Sequence, residues 1–226
     1  MFNTDFLLLQ INDALFPIGG YSHSYGLETY IQRNILKNED DIRQYINNRL
    51  EYSIKSTELL GARLAYEKAA DIVKLKELDE ILTASKSPKE IRLASVKLGS
   101  RFIKTLKGCD ISLKYNYFDD YAALKYTNKH HCTAYGVVCA AAGVEQATAL
   151  STYLYAQCSA MVTNCVKTVP LSQSAGQKIL YESFALMERV VSEAMTMGED
   201  ELCLSAPAFD IRCMEHERLY SRLYMS

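Results

Sequence analysis

Little in this chain breaks a helix. Four prolines and ten glycines punctuate 226 residues, so long segments run uninterrupted, with apolar residues at helical spacing rather than alternating. No run of β-branched residues flanked by turn signals is large enough for a sheet. An excess of one charge is also missing. The net charge is -2, which leaves no basic field for nucleic acid or an anionic membrane surface. The opening segment MFNTDFLLLQINDALF lacks a cationic start and carries Asp5, Gln10, Asn12 and Asp13, so it reads as neither a signal peptide nor a membrane span. Seven cysteines make an odd count without any C-x-x-C pair, which speaks against a disulfide framework or a zinc ribbon and for buried thiols. What is there is an ordinary globular composition, 49% hydrophobic and 23% charged, and a cytosolic location follows.

The expected fold is all-α. One domain spans residues 1–226, with a helical bundle of about eight to ten helices over 1–205 and a mobile C-terminal tail over 206–226. Thr4 caps a first helix through Phe16, ended by Pro17 and the Gly19-Gly20 pair. A second helix begins near Ser24. Asn38, followed by three acids, and Asp71 mark further starts. In Ser87-Pro88-Lys89-Glu90, serine stands at the cap, proline at the first helical position and glutamate three residues past the cap; that helix ends at Gly108. Residues 133–169 are small and apolar enough for closely approaching central helices. Gly143 or Glu145 breaks them and Pro170 ends them. Ser172 or Ser174 then opens a helix running through Val191.

Candidate chemistry concentrates in a few places. The loop holding Pro17, Gly19, Gly20, Tyr21, Ser22, His23 and Gly26 interleaves glycines with hydroxyls and an imidazole. It lacks the lysine of a phosphate-binding loop. Ser22 and Ser24 flank His23, but sequence neighbours seldom meet as nucleophile and base, and no G-x-S-x-G elbow is present. A tight interhelical turn capped by serine is the plainer reading. His130-His131-Cys132 lists three metal donors, yet consecutive helical side chains diverge by about 100°; a ring in solvent at a helix start is the simpler account. Cys213, His216 and Glu217 do share one helical face and suit a transient grip on a divalent ion. The alternative is a solvated helix in which Glu217 pairs with an arginine. Arg218, Tyr220, Arg222, Leu223 and Tyr224 crowd contact-forming residue types into the tail, as a docking peptide would.

Three stretches resemble the UreF family of urease accessory proteins: LLLQINDALFPIGGYSHSYGLETYIQ at 7–32, HHCTAYGVVCAAAGV with VPLSQSAGQKIL inside 130–180, and APAFDIRCMEHERLYSRLYMS at 206–226. Ser172 and Lys167 stand where that family often carries glycine and arginine. The resemblance implies an all-helical, non-enzymatic homodimer. It would bind the accessory protein UreD (also called UreH), recruit the GTPase UreG and meet apo-urease during nickel insertion, with no cofactor of its own. On the matched motifs, partner contacts would fall on Pro17, Gly19, Gly20, Tyr21, Ser22, His23, Gly26, Leu27 and Glu28, then Lys167, and then Asp210, His216, Glu217, Arg218, Tyr220, Arg222 and Leu223. Arg218, Tyr220 and Arg222 would seat the tail on UreD, and the loop from Gly19 to Glu28 would lie near the UreG surface. Two other readings stand beside this one: a nickel-binding metallochaperone using His23, His130, His131, Cys213 and His216, and a hydrolase centred on Ser22 and His23.

Overall fold

The computed structural model of the protein describes residues 4–125, 127–204 and 206–226. The first three residues of the opening segment, and Ser205 at the expected body–tail boundary, lie outside that range. Among the described residues there are helices and turns but no strands, as an all-α chain requires. Helix α1 spans Thr4–Ile11, α2 Leu27–Gln32 and α3 Glu39–Arg49; α3 continues without a break through a π-helical segment, Leu50–Leu59, into α4, Leu60–Glu67. Then come α5 (Ile72–Ser85), α6 (Lys89–Gly108), α7 (Tyr117–Ala123), α8 (His131–Ala142), α9 (Gln146–Thr168), α10 (Gln173–Glu182), α11 (Phe184–Thr196) and α12 (Pro207–His216). None of these helices is long and apolar enough to cross a membrane.

Side-chain caps set several boundaries where the sequence places them. Asn38 accepts from the Asp41 amide at 3.0 Å. Asp71 accepts from Val73 and Lys74, and Ser172 from Ala175. Gly143 closes α8 in the left-handed region (φ +73) and Glu145 caps α9 through the Ala147 and Thr148 amides. Asn38, Asp71, Ser172 and Glu145 satisfy amides that a helix start leaves without partners.

Four boundaries differ from expectation. Helix α1 stops at Ile11 rather than Phe16, because Asp13 draws the Leu15 amide to its carboxylate and the Phe16 amide to its carbonyl, a local turn that competes with the helix. Helix α2 begins at Leu27, not near Ser24, since Gly26 takes a left-handed conformation (φ +77) and the Ser24 amide is bonded elsewhere. Helix α6 begins one residue late, at Lys89, with no side-chain cap; Glu90 is engaged with the tail. The helix expected through Val191 is two helices broken at Ser183, whose hydroxyl donates to the Ile179 carbonyl at 2.8 Å.

Helix α8 is the centre of the bundle, with all twelve residues buried. Its Gly136 faces the Ala62 carbonyl of α4, and Gly99 of α6 faces the backbone that leads into α8. At both places an added Cβ would lie well inside van der Waals contact with backbone atoms, so the helices touch main chain to main chain. Gly136→Ala should therefore lower stability by about 2 kcal/mol or more in urea denaturation. Gly108→Ala, where a Cβ meets nothing within 4 Å, should be neutral or slightly stabilising; equal effects at the two positions would refute the close-packing account.

Candidate functional site

Residues 188 apart in sequence meet where α12 ends. His216 is completely buried and is held from both sides. Its Nδ1 lies 2.6 Å from Glu90 Oε2 and its Nε2 3.0 Å from Glu28 Oε2. A ring protonated on both nitrogens donates to both carboxylates at once. Glu28, also buried, accepts in addition from the Leu223 amide (2.7 Å) and the Tyr224 amide (3.0 Å), and Glu90 pairs with Arg222 at 2.8 Å. Two glutamates, one arginine and that imidazole thus form one linked cluster.

Beyond this knot the tail returns to the N-terminal loop. The Ser226 carbonyl accepts from the Ser24 and Tyr25 amides (2.6 and 3.0 Å) and from the Ser24 hydroxyl, while the Met225 amide donates to the Ser22 carbonyl at 2.8 Å. His23 Nδ1 stands 2.9 Å from the Ser226 hydroxyl, and Asn164 of α9 donates to the His23 carbonyl. Gln32 donates to the Ser221 carbonyl, and Arg33 pairs with Glu215. The left-handed Gly26 leaves room for α12, since a Cβ there would stand 2.9 Å from Cys213 Sγ and 3.2 Å from its amide. Expected to be mobile, the tail is instead fastened to its own chain, because its backbone finds acceptors on Glu28 and donors in the loop.

The residues matched for partner contact thus divide in two. His23, Gly26, Leu27, Glu28 and His216 are buried and form the frame. Pro17, Tyr21, Glu217, Arg218, Tyr220, Arg222 and Leu223 are exposed; Tyr220 is 106% accessible and Leu223 81%. Gly19 (φ +81) is covered by Arg101, which donates to the Ile18 carbonyl. Gly20 and Ser22 are half-buried, and a Cβ at Gly20 would touch only Ile18. Asp210 lies half-buried in the first turn of α12, where burial raises its carboxyl pKa. Lys167 is exposed in the last turn of α9, one turn from Asn164. Glu90, Asn164 and Ser226 complete the site without having been singled out for it. Only the tertiary contact marks them, for nothing local distinguishes Glu90 from a helix-start acid.

The other chemical readings lose their geometry. The Ser22 hydroxyl donates to the Gly19 carbonyl at 2.7 Å rather than meeting His23. Cys213 is buried, its thiol driven up in pKa by desolvation, and His216 is committed to two carboxylates. Among the described residues, no three His, Cys, Asp or Glu side chains are placed to hold one ion. Glu215, rather than Glu217, takes the arginines, pairing with Arg33 and Arg212.

His130 and His131 are buried rather than solvated. His130 bonds Thr83 and Ser95 at 2.9 Å each, and its amide donates to Asp79. His131 packs edge-on to Phe102 with its Nε2 unpartnered. His131 and His23 both border a cavity of about 550 Å³ beneath the loop.

Two outcomes follow from this geometry. His216→Ala strands two carboxylates and should cost about 3 kcal/mol or more. It should also accelerate hydrogen exchange at the Leu223 and Tyr224 amides; unchanged protection there would refute the knot. Burial lowers the His130 pKa to about 3 and the His131 pKa to about 4. The unfolded chain therefore binds these protons below about pH 6.5 while the folded chain does not, and stability falls as pH drops toward 4. Asp79, raised by burial to about 6, opposes this between about pH 6 and 4. His131→Phe should remove one proton's worth of the acid slope, about 1.4 kcal/mol per pH unit, in urea melts between pH 6 and 4.5; an unaltered slope counts against the assignment.

The UreF family model matches residues 36–184. The urease accessory protein UreF of Bacillus sp. (strain TB-90) is 33% identical, with 97% of each chain covered. Its namesake in Actinobacillus pleuropneumoniae serotype 3 (strain JL03) is 33% identical with the same coverage, and that of Haemophilus influenzae (strain ATCC 51907 / DSM 11121 / KW20 / Rd) is 32% identical, covering 97% of this chain and 94% of the other. On a family model spanning most of the chain and on relatives aligned almost end to end, this protein belongs to the UreF family of urease accessory proteins.

Proposed function

We propose that the protein works by binding rather than by bond-making: with UreD (UreH) it recruits the GTPase UreG to apo-urease in the cytoplasm, so that nickel passes into the urease active site as cargo. The observation that carries this reading is the joint surface of loop and tail. Buried Glu28 and His216, with half-buried Glu90, fix the backbone, while Tyr21, Arg218, Tyr220 and Leu223 face outward from it. Aromatic and arginine side chains held on a rigid frame lose little entropy when a partner covers them. The chain has no resident cofactor in this reading, and its own residues supply contact, not catalysis.

A homodimer fits the same picture, although α8 cannot supply its contact face. Helix α8 is buried within its own chain and offers no face. Tyr155, Tyr181 and Phe184 form an exposed aromatic group from α9, α10 and α11, and we assign the contact between copies to that patch.

Purified alone, the protein should hydrolyse no GTP but co-elute with UreD and UreG. Tyr220→Ala combined with Leu223→Ala removes only exposed side chains and should weaken UreD capture about tenfold or more without altering helicity. Gly20→Arg should weaken UreG recruitment in the same assay. Full retention of both partners by these variants would refute the reading.

A further inference from the structure

On α3 and its π-helical continuation, Asp41, Gln44, Tyr45, Asn48, Arg49, Tyr52 and Ser53 repeat at three- and four-residue intervals. They share one helix face. That face lines a cavity of about 590 Å³, closed on the far side by Tyr30 and by the start of α12 with Phe209. The size is that of a small-molecule pocket, and the aromatic walls suit one. Tyr30 and Tyr45 meet edge to face at 5.2 Å.

Arg49 is the anomaly. It is only 7% exposed, it cannot shed its charge, and among the described residues it forms no ion pair with a carboxylate. Its Nη1 donates to the Ser53 hydroxyl at 2.6 Å, its guanidinium lies 3.6 Å from the Phe209 ring centre, and its Nε has no partner. The acids whose charge reaches it through space, Glu58 and Asp210, make no hydrogen bond or ion pair with it. Glu58 is bonded to Lys86 at 2.6 Å and to Thr57, and burial raises the Asp210 pKa. A buried cation without a counter-ion is costly, and a bound anion removes the cost. Arg49 also borders the cavity beneath the loop, but its guanidinium lies against the ring of Phe209, which lines the α3–α12 cavity.

We propose that this cavity is a binding site for a small monocarboxylate with an aromatic or branched apolar body. The carboxylate would pair with Arg49, and the body would lie between Tyr45, Tyr52 and Phe209. Asp41 lines the same cavity, its Oδ2 taken by the Lys37 amide at 2.9 Å, and its charge disfavours a second acid group on the ligand. The site is independent of the partner-docking reading, except that its α12 wall leads into the His216 knot.

The test is titration of the full chain with sodium phenylacetate, followed by calorimetry and by amide and aromatic NMR shifts. Acetate and phenethyl alcohol serve as controls that lack the ring or the charge. Saturable one-site binding is expected, with shifts at Tyr45, Tyr52 and Phe209, at least tenfold tighter than either control. Arg49→Gln should abolish it and Arg49→Lys should restore part of it. Should Arg49→Gln fail to fold, Tyr52→Ala, at a side chain 63% exposed, should still weaken phenylacetate several-fold. Equal binding of phenethyl alcohol, absence of saturation, or shifts confined to other elements would each overturn the proposal. So would a short Phe-Glu peptide binding tenfold more tightly than phenylacetate, since it would assign the cavity to a protein side chain.

Discussion

An imidazole gripped by two carboxylates organises the functional end of this molecule. His216 ends α12, Glu28 opens α2 and Glu90 opens α6; no two of these helices are neighbours in sequence. Because the group is buried, each bond is made in a medium where charge-assisted contacts are strong and unpaired ones are penalised. The same Glu28 that holds His216 accepts two tail amides. One side chain therefore fixes the end of a helix and the path of the segment that follows it.

That knot depends on a tightly packed body. The glycines of α6 and α8 allow backbone-to-backbone contact, which sets where α6 presents Glu90. A second polar network, in which Asp79 joins Tyr121 and the His130 amide, pins the entry to α8. Both networks are nearly saturated with partners, as buried polar groups in a unique fold should be. Arg49 belongs to neither network, and its Nε has no partner.

Much of the helix pattern was legible from local chemistry. Asn38, Asp71, Gly143, Glu145 and Ser172 act on residues within four positions of themselves, so their signals survive without tertiary context. The errors arose where a side chain had a second use. Asp13 turned the chain early, Ser183 bonded back to Ile179 and broke a helix in two, and Glu90 left the capping role for the tail. Of the candidate site, the loop and tail motifs named segments that the structure brings into contact. They did not reveal which side chains are buried frame and which are exposed.

The sequence by itself determined the all-α class, the positions of most helix starts and the family, because helical periodicity, caps and contiguous motifs are short-range properties. Only the tertiary structure decided that loop and tail form one surface, that His216 is held between Glu28 and Glu90, and that Arg49 borders a cavity without a direct ion pair. Those facts rest on contacts between residues far apart in the chain, and the burial that gives such contacts their strength exists only after the helices have packed.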